Sequence, residues 1–258
     1  MPDFADSSYD QHFDVLRADT PDRLDAAYRL RYQVYCVENR FEDRERCPDG
    51  REVDDDDDRS VHTLLVHRRS GAAIGAARLI LPRPQSGRPL PIERLAHPGA
   101  RALLQRLRHH RTAEVSRFAV SKEFRRRRGE DQHADVGFSC PAAADGAERR
   151  LLPHITFGLV RGILGLCLEY EIRFLAAVME PALLRLLSRL GLDFEAVGPL
   201  VEHHGLRQPC LADIDALLRS SRDSTRLLRG YLEASGSVPA FAGPAPVGVG
   251  RDLRPGAD

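Results

Sequence analysis

A carboxylate, a hydroxyl and a guanidinium stand within four positions of one another at Glu114, Ser116 and Arg117, inside the strand-like run 113–121. Side chains alternate along a strand, which predicts Glu114, Ser116 and Phe118 on one face and Val115, Arg117 and Ala119 on the other. Neither face is cleanly apolar. An unpaired buried carboxylate or guanidinium costs about 3 kcal/mol or more, so the run needs charged partners elsewhere or must open onto a polar cleft. A carboxylate in such a cleft is suited to proton transfer, and a guanidinium to anchoring a carboxylate or the strand itself.

Partners can be sought among charges that local rules place in apolar surroundings. Arg31 falls on the helical stripe Leu24, Tyr28, Arg31, Tyr35, and Arg78 lies inside the strand-like segment 73–81. With Arg117 these make three cations against the single anion Glu114. The missing acids are expected in the segment 52–58, where Asp54 and Asp57 sit three apart just before a strand and can pair with Arg31 and Arg78. A solvated acidic turn is the plainer reading of that run. It lacks the oxygen spacing and mid-loop glycine of a calcium loop, and no metal site is expected. Arg125, Arg126, Arg127 and Arg128 form a basic patch, extended by Arg149, Arg150 and Arg161, that is either a solvated loop or a holder of phosphates. No aromatic residues interleave with it, which argues against nucleic acid. The pairs His109-His110 and His203-His204 are isolated and read as surface histidines, and Cys36 and Cys140 as packing.

The elements that must position these residues follow from periodicity and punctuation. Residues 12–18 read as a strand, and Thr20-Pro21-Asp22 opens a helix expected to run to about residue 38. Segments 61–67 and 73–81 form a hairpin around Arg69-Ser70-Gly71. A short basic helix precedes the strand at 113. Further on come a long amphipathic helix over 149–169, a strand over 172–179, a helix over 181–190 closed by Gly191, and a strand over 193–197. This order predicts one α/β domain over 12–235, a mixed sheet with helices on both faces, between an extension (1–11) and a disordered Gly/Pro/Ala-rich tail (236–258). No GxGxxG, GxxxxGK[ST] or GxSxG stands at a strand-to-helix junction. The 258 residues carry 38 basic and 38 acidic side chains, so no global field favours nucleic acid or an anionic membrane. Five cysteines without CxxC spacing, no apolar leader and no uninterrupted membrane-length segment predict a cytoplasmic protein without stable membrane insertion.

The set Arg31, Tyr35, Phe41, Asp54, Asp57, Arg78 and Glu114-x-Ser116-Arg117-Phe118 resembles, over roughly residues 12–200, the N-acyltransferases of the GNAT superfamily. These include acyl-homoserine-lactone autoinducer synthases and long-chain N-acyl amino acid synthases, and the resemblance is strongest to acyltransferases of PEP-CTERM/exosortase systems. It implies a GNAT fold whose strand at 113 splays from that at 172, with a fatty acyl thioester in the gap and a small amine, such as an amino acid, as acceptor. By the same resemblance Glu114 is the base, directly or through water, and Ser116 orients the substrate or protonates the departing thiolate. Arg31, Tyr35, Phe41, Asp54, Asp57, Arg78, Arg117 and Phe118 build the substrate pocket. Autoinducer synthases have tryptophan where this chain has Phe41, and there is no tryptophan anywhere, which weakens an S-adenosylmethionine acceptor. The glycine-rich loop that cradles the coenzyme A pyrophosphate is absent, which favours an acyl carrier protein, docked on Arg125 to Arg128, over acyl-CoA as donor of the acyl-phosphopantetheine. No permanently bound cofactor is implied. The competing readings are a non-catalytic module that binds an acylated carrier, and a structural protein with an ion-paired core strand.

Overall fold

The computed structural model describes residues 11–83, 87–107, 111–122 and 155–219. Strand β1 (Phe13–Arg17) leads into helix α1 (Pro21–Arg31), whose start is fixed by the Thr20 hydroxyl accepting from the Arg23 N–H and by Pro21 in the first turn. The helix does not continue as α to residue 38. It passes into a π-helix, Tyr32–Glu38, whose end is marked by the Asn39 N–H bonding back to the Val34 carbonyl, one residue beyond the α spacing.

After the aspartate run come β2 (Ser60–His67) and β3 (Ala72–Ile80), the expected hairpin, then two helices, α2 (Pro91–Leu95) and α3 (Pro98–Leu107). Strand β4 (Thr112–Val120) is followed by α4 (Ile155–Glu169), β5 (Phe174–Met179) and α5 (Pro181–Arg189). Short strands β6 (Glu195–Ala196) and β7 (Val201–Glu202) flank β8 (Leu206–Asp213), which leads into α6 (Ile214–Leu218). The sheet order is β1-β2-β3-β4-β5-β8-β6, with β7 also on β8. All pairs are antiparallel except β4 with β5. Helix α1 covers Leu64, Ala76 and Ala119 on one face, while α4 and α5 cover Leu79, Ala113 and Leu175 on the other.

Helix α4 is buried around most of its circumference and is not the one-sided amphipathic helix expected. Arg161 lies within it, 6% exposed, so it belongs to no surface patch. At Gly162 the backbone approaches β1 and β2 so closely that a β-carbon would stand 2.2 Å from Thr63 Oγ1. Residues 1–10 of the expected extension (1–11), Arg125 to Arg128, Arg149, Arg150, Cys140, the His109-His110 pair and the tail lie outside the described residues.

Two features of the sheet centre shape the site. Pairing of β4 with β5 runs only from Thr112↔Phe174 to Val115↔Ala177, although β4 continues to Val120 and β5 to Met179. The strands therefore separate past Val115. Just there β4 carries a bulge: Arg78 pairs with Ser116 and Ala76 with Ala119, so Arg117 and Phe118 together oppose Ala77. Arg117 sits at φ 50°, the left-handed region.

Candidate active site

The extra residue inverts the alternation of side chains, which corrects the faces read from the sequence. Arg117 joins Glu114 and Ser116 on the α1 side, and Phe118 moves to the other, where it packs against the core under α4. A strict two-residue period has no means of signalling this switch.

On the α1 side lies a network of three arginines and their acids. Arg31 is fully buried. It donates from Nε to Glu52 Oε2 at 2.6 Å and forms a fork on Asp57, with Nη1 to Oδ1 at 2.7 Å and Nη2 to Oδ2 at 2.9 Å. Arg78 reaches Asp54 Oδ1 at 2.5 Å, Asp57 Oδ1 at 3.0 Å and the Ser116 hydroxyl at 3.0 Å. Arg117 donates to Glu52 at 2.9 Å and lies 3.0 Å from Asp54 Oδ2 and 3.4 Å from Glu42 Oε1. The aspartates are shaped for this by their own turn, in which the Asp54 N–H donates to Asp57 Oδ2 and the Asp56 N–H to Asp54 Oδ1. Burial alone would raise the Glu52, Asp54 and Asp57 carboxyls. The hydrogen bonds and charges of Arg31, Arg78 and Arg117 outweigh it and hold all three below the usual carboxylate range.

The structure thus brings Arg31, Asp54, Asp57, Arg78, Ser116 and Arg117 into one network, and adds Glu52 and Glu42. Glu52 was within the acidic run, but pairing by three-residue spacing favoured the aspartates. Exposure sorts the network into wall and rim. The side chains of Arg31, Arg78, Glu52 and Asp57 are at most 4% exposed, whereas Arg117 (17%), Glu42 (28%) and Asp54 (31%) reach the surface. Of the charged members, these last three are the ones exposed enough to meet a ligand directly, and Ser116 beside them is half-buried. Asp54 and Asp57 also border an open hollow of about 540 Å³ together with Tyr28 and Arg88.

Aromatic residues complete the rim. The Tyr35 hydroxyl donates to the Phe118 carbonyl at 3.4 Å, the Arg117 guanidinium carbon lies 5.3 Å from the Tyr35 ring centre, and Phe41 packs on Tyr35 at 6.2 Å. His204, read from the sequence as a surface residue, stacks on Phe41 with ring centres 5.0 Å apart. His62, behind the network, is 1% exposed and edge-on to Tyr28; burial, with Arg31 next, pushes its imidazole down to about 4.

Glu114 lies apart. It pairs with Ile80 and Ala176 in the closed part of the sheet, is 3% exposed under α2, and accepts the Ile92 N–H at 2.8 Å. Burial pushes its carboxyl up to about 8, against the Ile92 hydrogen bond and the Arg78 charge. At neutral pH it is mostly a neutral acid, screened from direct contact with anything in the gap. Ser116 accepts from Arg78, which leaves its hydroxyl proton free to donate. Among the described residues no group of His, Cys, Asp or Glu is placed to hold a metal ion, and no helix is long and apolar enough to cross a membrane.

Residues 30–134 match the acetyltransferase (GNAT) domain family. No curated protein sequence matches the chain. Among solved structures, TofI in a ternary complex with an inhibitor and MTA aligns with a TM-score of 0.51 at 20% identity, over 80% of this chain and 93% of that one. BjaI, a CoA-dependent acyl-homoserine lactone synthase, aligns at 0.51 and 20% identity in its complex with SAM and isopentyl-CoA and at 0.50 and 21% in its complex with MTA, over 86% of this chain and 89% of its own. FeeM, an N-acyl amino acid synthase from uncultured soil microbes, aligns at 0.49 and 17% identity, over 80% and 92%. The splayed parallel pair at the centre of a mixed sheet is the GNAT fold, and residues 30–134 of this chain match the GNAT acetyltransferase domain within it.

Proposed function

We propose that the chain transfers a fatty acyl group from a phosphopantetheine thioester to the amine of an amino acid or a similarly small metabolite. The observation that carries this reading is the gap beyond Val115. There the β5-facing edge of β4 residues 116–120 has no strand partner among the described residues, and its backbone groups are open to an extended ligand. A pantetheine arm carries two amides along a chain and fits such an edge as an added strand would. Backbone N–H groups at the bulge then stand where the thioester oxygen gains charge. Ser116 donates its proton to the departing thiolate. Asp54, Glu42 and Arg117, the exposed members of the network, face the acceptor, with Tyr35 and Phe41 beside them, while Arg31, Asp57 and Arg78 hold that wall rigid. Phe118, on the α4 side, borders the acyl chain. Glu114 reaches the reacting amine only through water.

BjaI, which shares the fold, is described as a CoA-dependent acyl-homoserine lactone synthase and was solved with isopentyl-CoA in place. The missing pyrophosphate loop favours an acyl carrier protein for this chain, with Arg125 to Arg128 as its docking patch. The test is incubation with acyl-carrier and acyl-CoA thioesters of graded length and a mixture of amines, followed by thiol release and mass spectrometry. Thiol release with a new N-acyl product is expected. Intact thioester with every amine refutes the reading.

A further inference from the structure

The turn between β7 and β8 reaches across to the rim of the gap. His204 adopts φ 53°, a left-handed conformation that side chains other than glycine seldom hold, and Gly205 follows at φ 94°. Arg207 fixes this tip by donating to the carbonyls of His203 at 3.2 Å and His204 at 2.9 Å, and pairs with Glu180 at the end of β5. The His204 ring lies against Phe41 at an interplanar angle of 29°, and its Nε2 is 3.8 Å from Glu42 Oε1. Glu42 is itself held by Arg117, the bulge residue at which β4 leaves β5. An imidazole is therefore packed on one face by an aromatic ring, lies against the His203 ring with centres 4.6 Å apart, and has a carboxylate within ion-pair range of one nitrogen. Its other nitrogen, Nδ1, has no hydrogen-bond partner among the described residues. With 30% of its side chain exposed, it is open to a ligand at the rim.

This is the arrangement of a general base with its orienting carboxylate, and it stands where the buried Glu114 does not. We propose that His204, oriented by Glu42, accepts the proton of the attacking amine. The inference rests on the acyl-transfer reading above. The amine nitrogen bonds to the thioester carbon and the imidazole takes its proton. The oxyanion then collapses with cleavage of the C–S bond, and the thiolate takes a proton from Ser116. An amide and a free thiol leave, Ser116 regains its proton from water, and the imidazolium returns its own to solvent.

The experiment compares wild type, His204→Ala, Glu42→Gln and Glu114→Gln with an alkyl amine acceptor and with hydroxylamine, a nucleophile that is already unprotonated at neutral pH. His204→Ala is expected to lower kcat/KM for the alkyl amine by about 100-fold, the usual lower bound for a lost general base, with a much smaller loss for hydroxylamine. Added imidazole should restore part of the alkyl-amine rate to His204→Ala and leave wild type unchanged, which a purely structural role would not produce. Glu42→Gln should lie between wild type and His204→Ala. Retention of kcat/KM within about threefold by His204→Ala, or an equal loss for both nucleophiles without imidazole rescue, overturns the assignment while acyl transfer itself stands. A wild type that transfers to neither nucleophile removes the acyl-transfer reading, and this inference with it.

Discussion

Replacing Glu114 by glutamine should flatten the alkaline side of the protein's stability profile. The folded-state carboxyl is raised from 4.5 to about 8 by burial, so the native state prefers the protonated form. A group raised on folding contributes stability that is fully present below its unfolded pKa and lost as pH rises through its folded one. The total loss is roughly 5 kcal/mol, since each pKa unit is worth about 1.4 kcal/mol. The clean window lies from 6.5, above which His62 is neutral in the folded state and mostly neutral in the unfolded one, to about 8. Within it the unfolded carboxyl is ionised and the folded one is only beginning to be, so wild type should lose roughly 2 kcal/mol through this residue. Glutamine keeps an oxygen for the Ile92 N–H and cannot ionise. Urea unfolding of both proteins at several pH values across the window should give a stability difference that moves in favour of Glu114→Gln by that amount. Parallel curves would mean that Glu114 is not buried as described, and the argument that screens it from the substrate would fail with it.

Three further perturbations probe the same framework. Asp57→Asn leaves the buried Arg31 without its fork and Arg78 with one acid fewer, and should cost about 3–5 kcal/mol in urea unfolding, against less than about 0.5 kcal/mol for the exposed Asp58→Asn. Gly162→Ala drives a methyl into Thr63 and Val15 and should destabilise by about 1–3 kcal/mol in a thermal melt, whereas Gly75→Ala meets only the mobile end of Leu159 at 3.0 Å and should cost less. His62 is pushed down to about 4, so its contribution is present above 6.5 and lost as pH falls; wild type should lose up to about 3 kcal/mol between those values, and His62→Gln should not.

What the sequence disclosed depended on whether a local rule carried the information. Arg31 was legible because a 3.6-residue stripe set it among Leu24, Tyr28 and Tyr35, and the need to neutralise it pointed to the aspartate run. The bulge at Arg117 left no signature, because Arg117 and Phe118 read equally well in either parity, and so the faces of β4 beyond Ser116 were assigned the wrong way round. Strand β8 was missed: Pro209 interrupts the run, and its pairing with β5, β6 and β7 is made by residues distant in sequence. The seating of His204 on Phe41 is likewise a contact across more than 160 positions, invisible to any spacing rule. The expected α-helix up to residue 38 was continuous with the π-turn in composition, so only the backbone hydrogen bonds reveal where one becomes the other.

The division of the arginine network into buried wall and exposed rim has a consequence for how the protein responds to ionic strength. Salt screens charges that water can reach and hardly touches pairs sealed from it. The links from Arg31 to Glu52 and Asp57 should hold in concentrated salt, while peripheral pairs such as Arg29–Asp25 and Arg68–Asp14 weaken. The contacts from Arg117 to Glu42 and from Glu42 to His204 fall between these extremes. Electrolyte concentration is then a selective instrument: it loosens the exposed rim and leaves the wall behind it fixed.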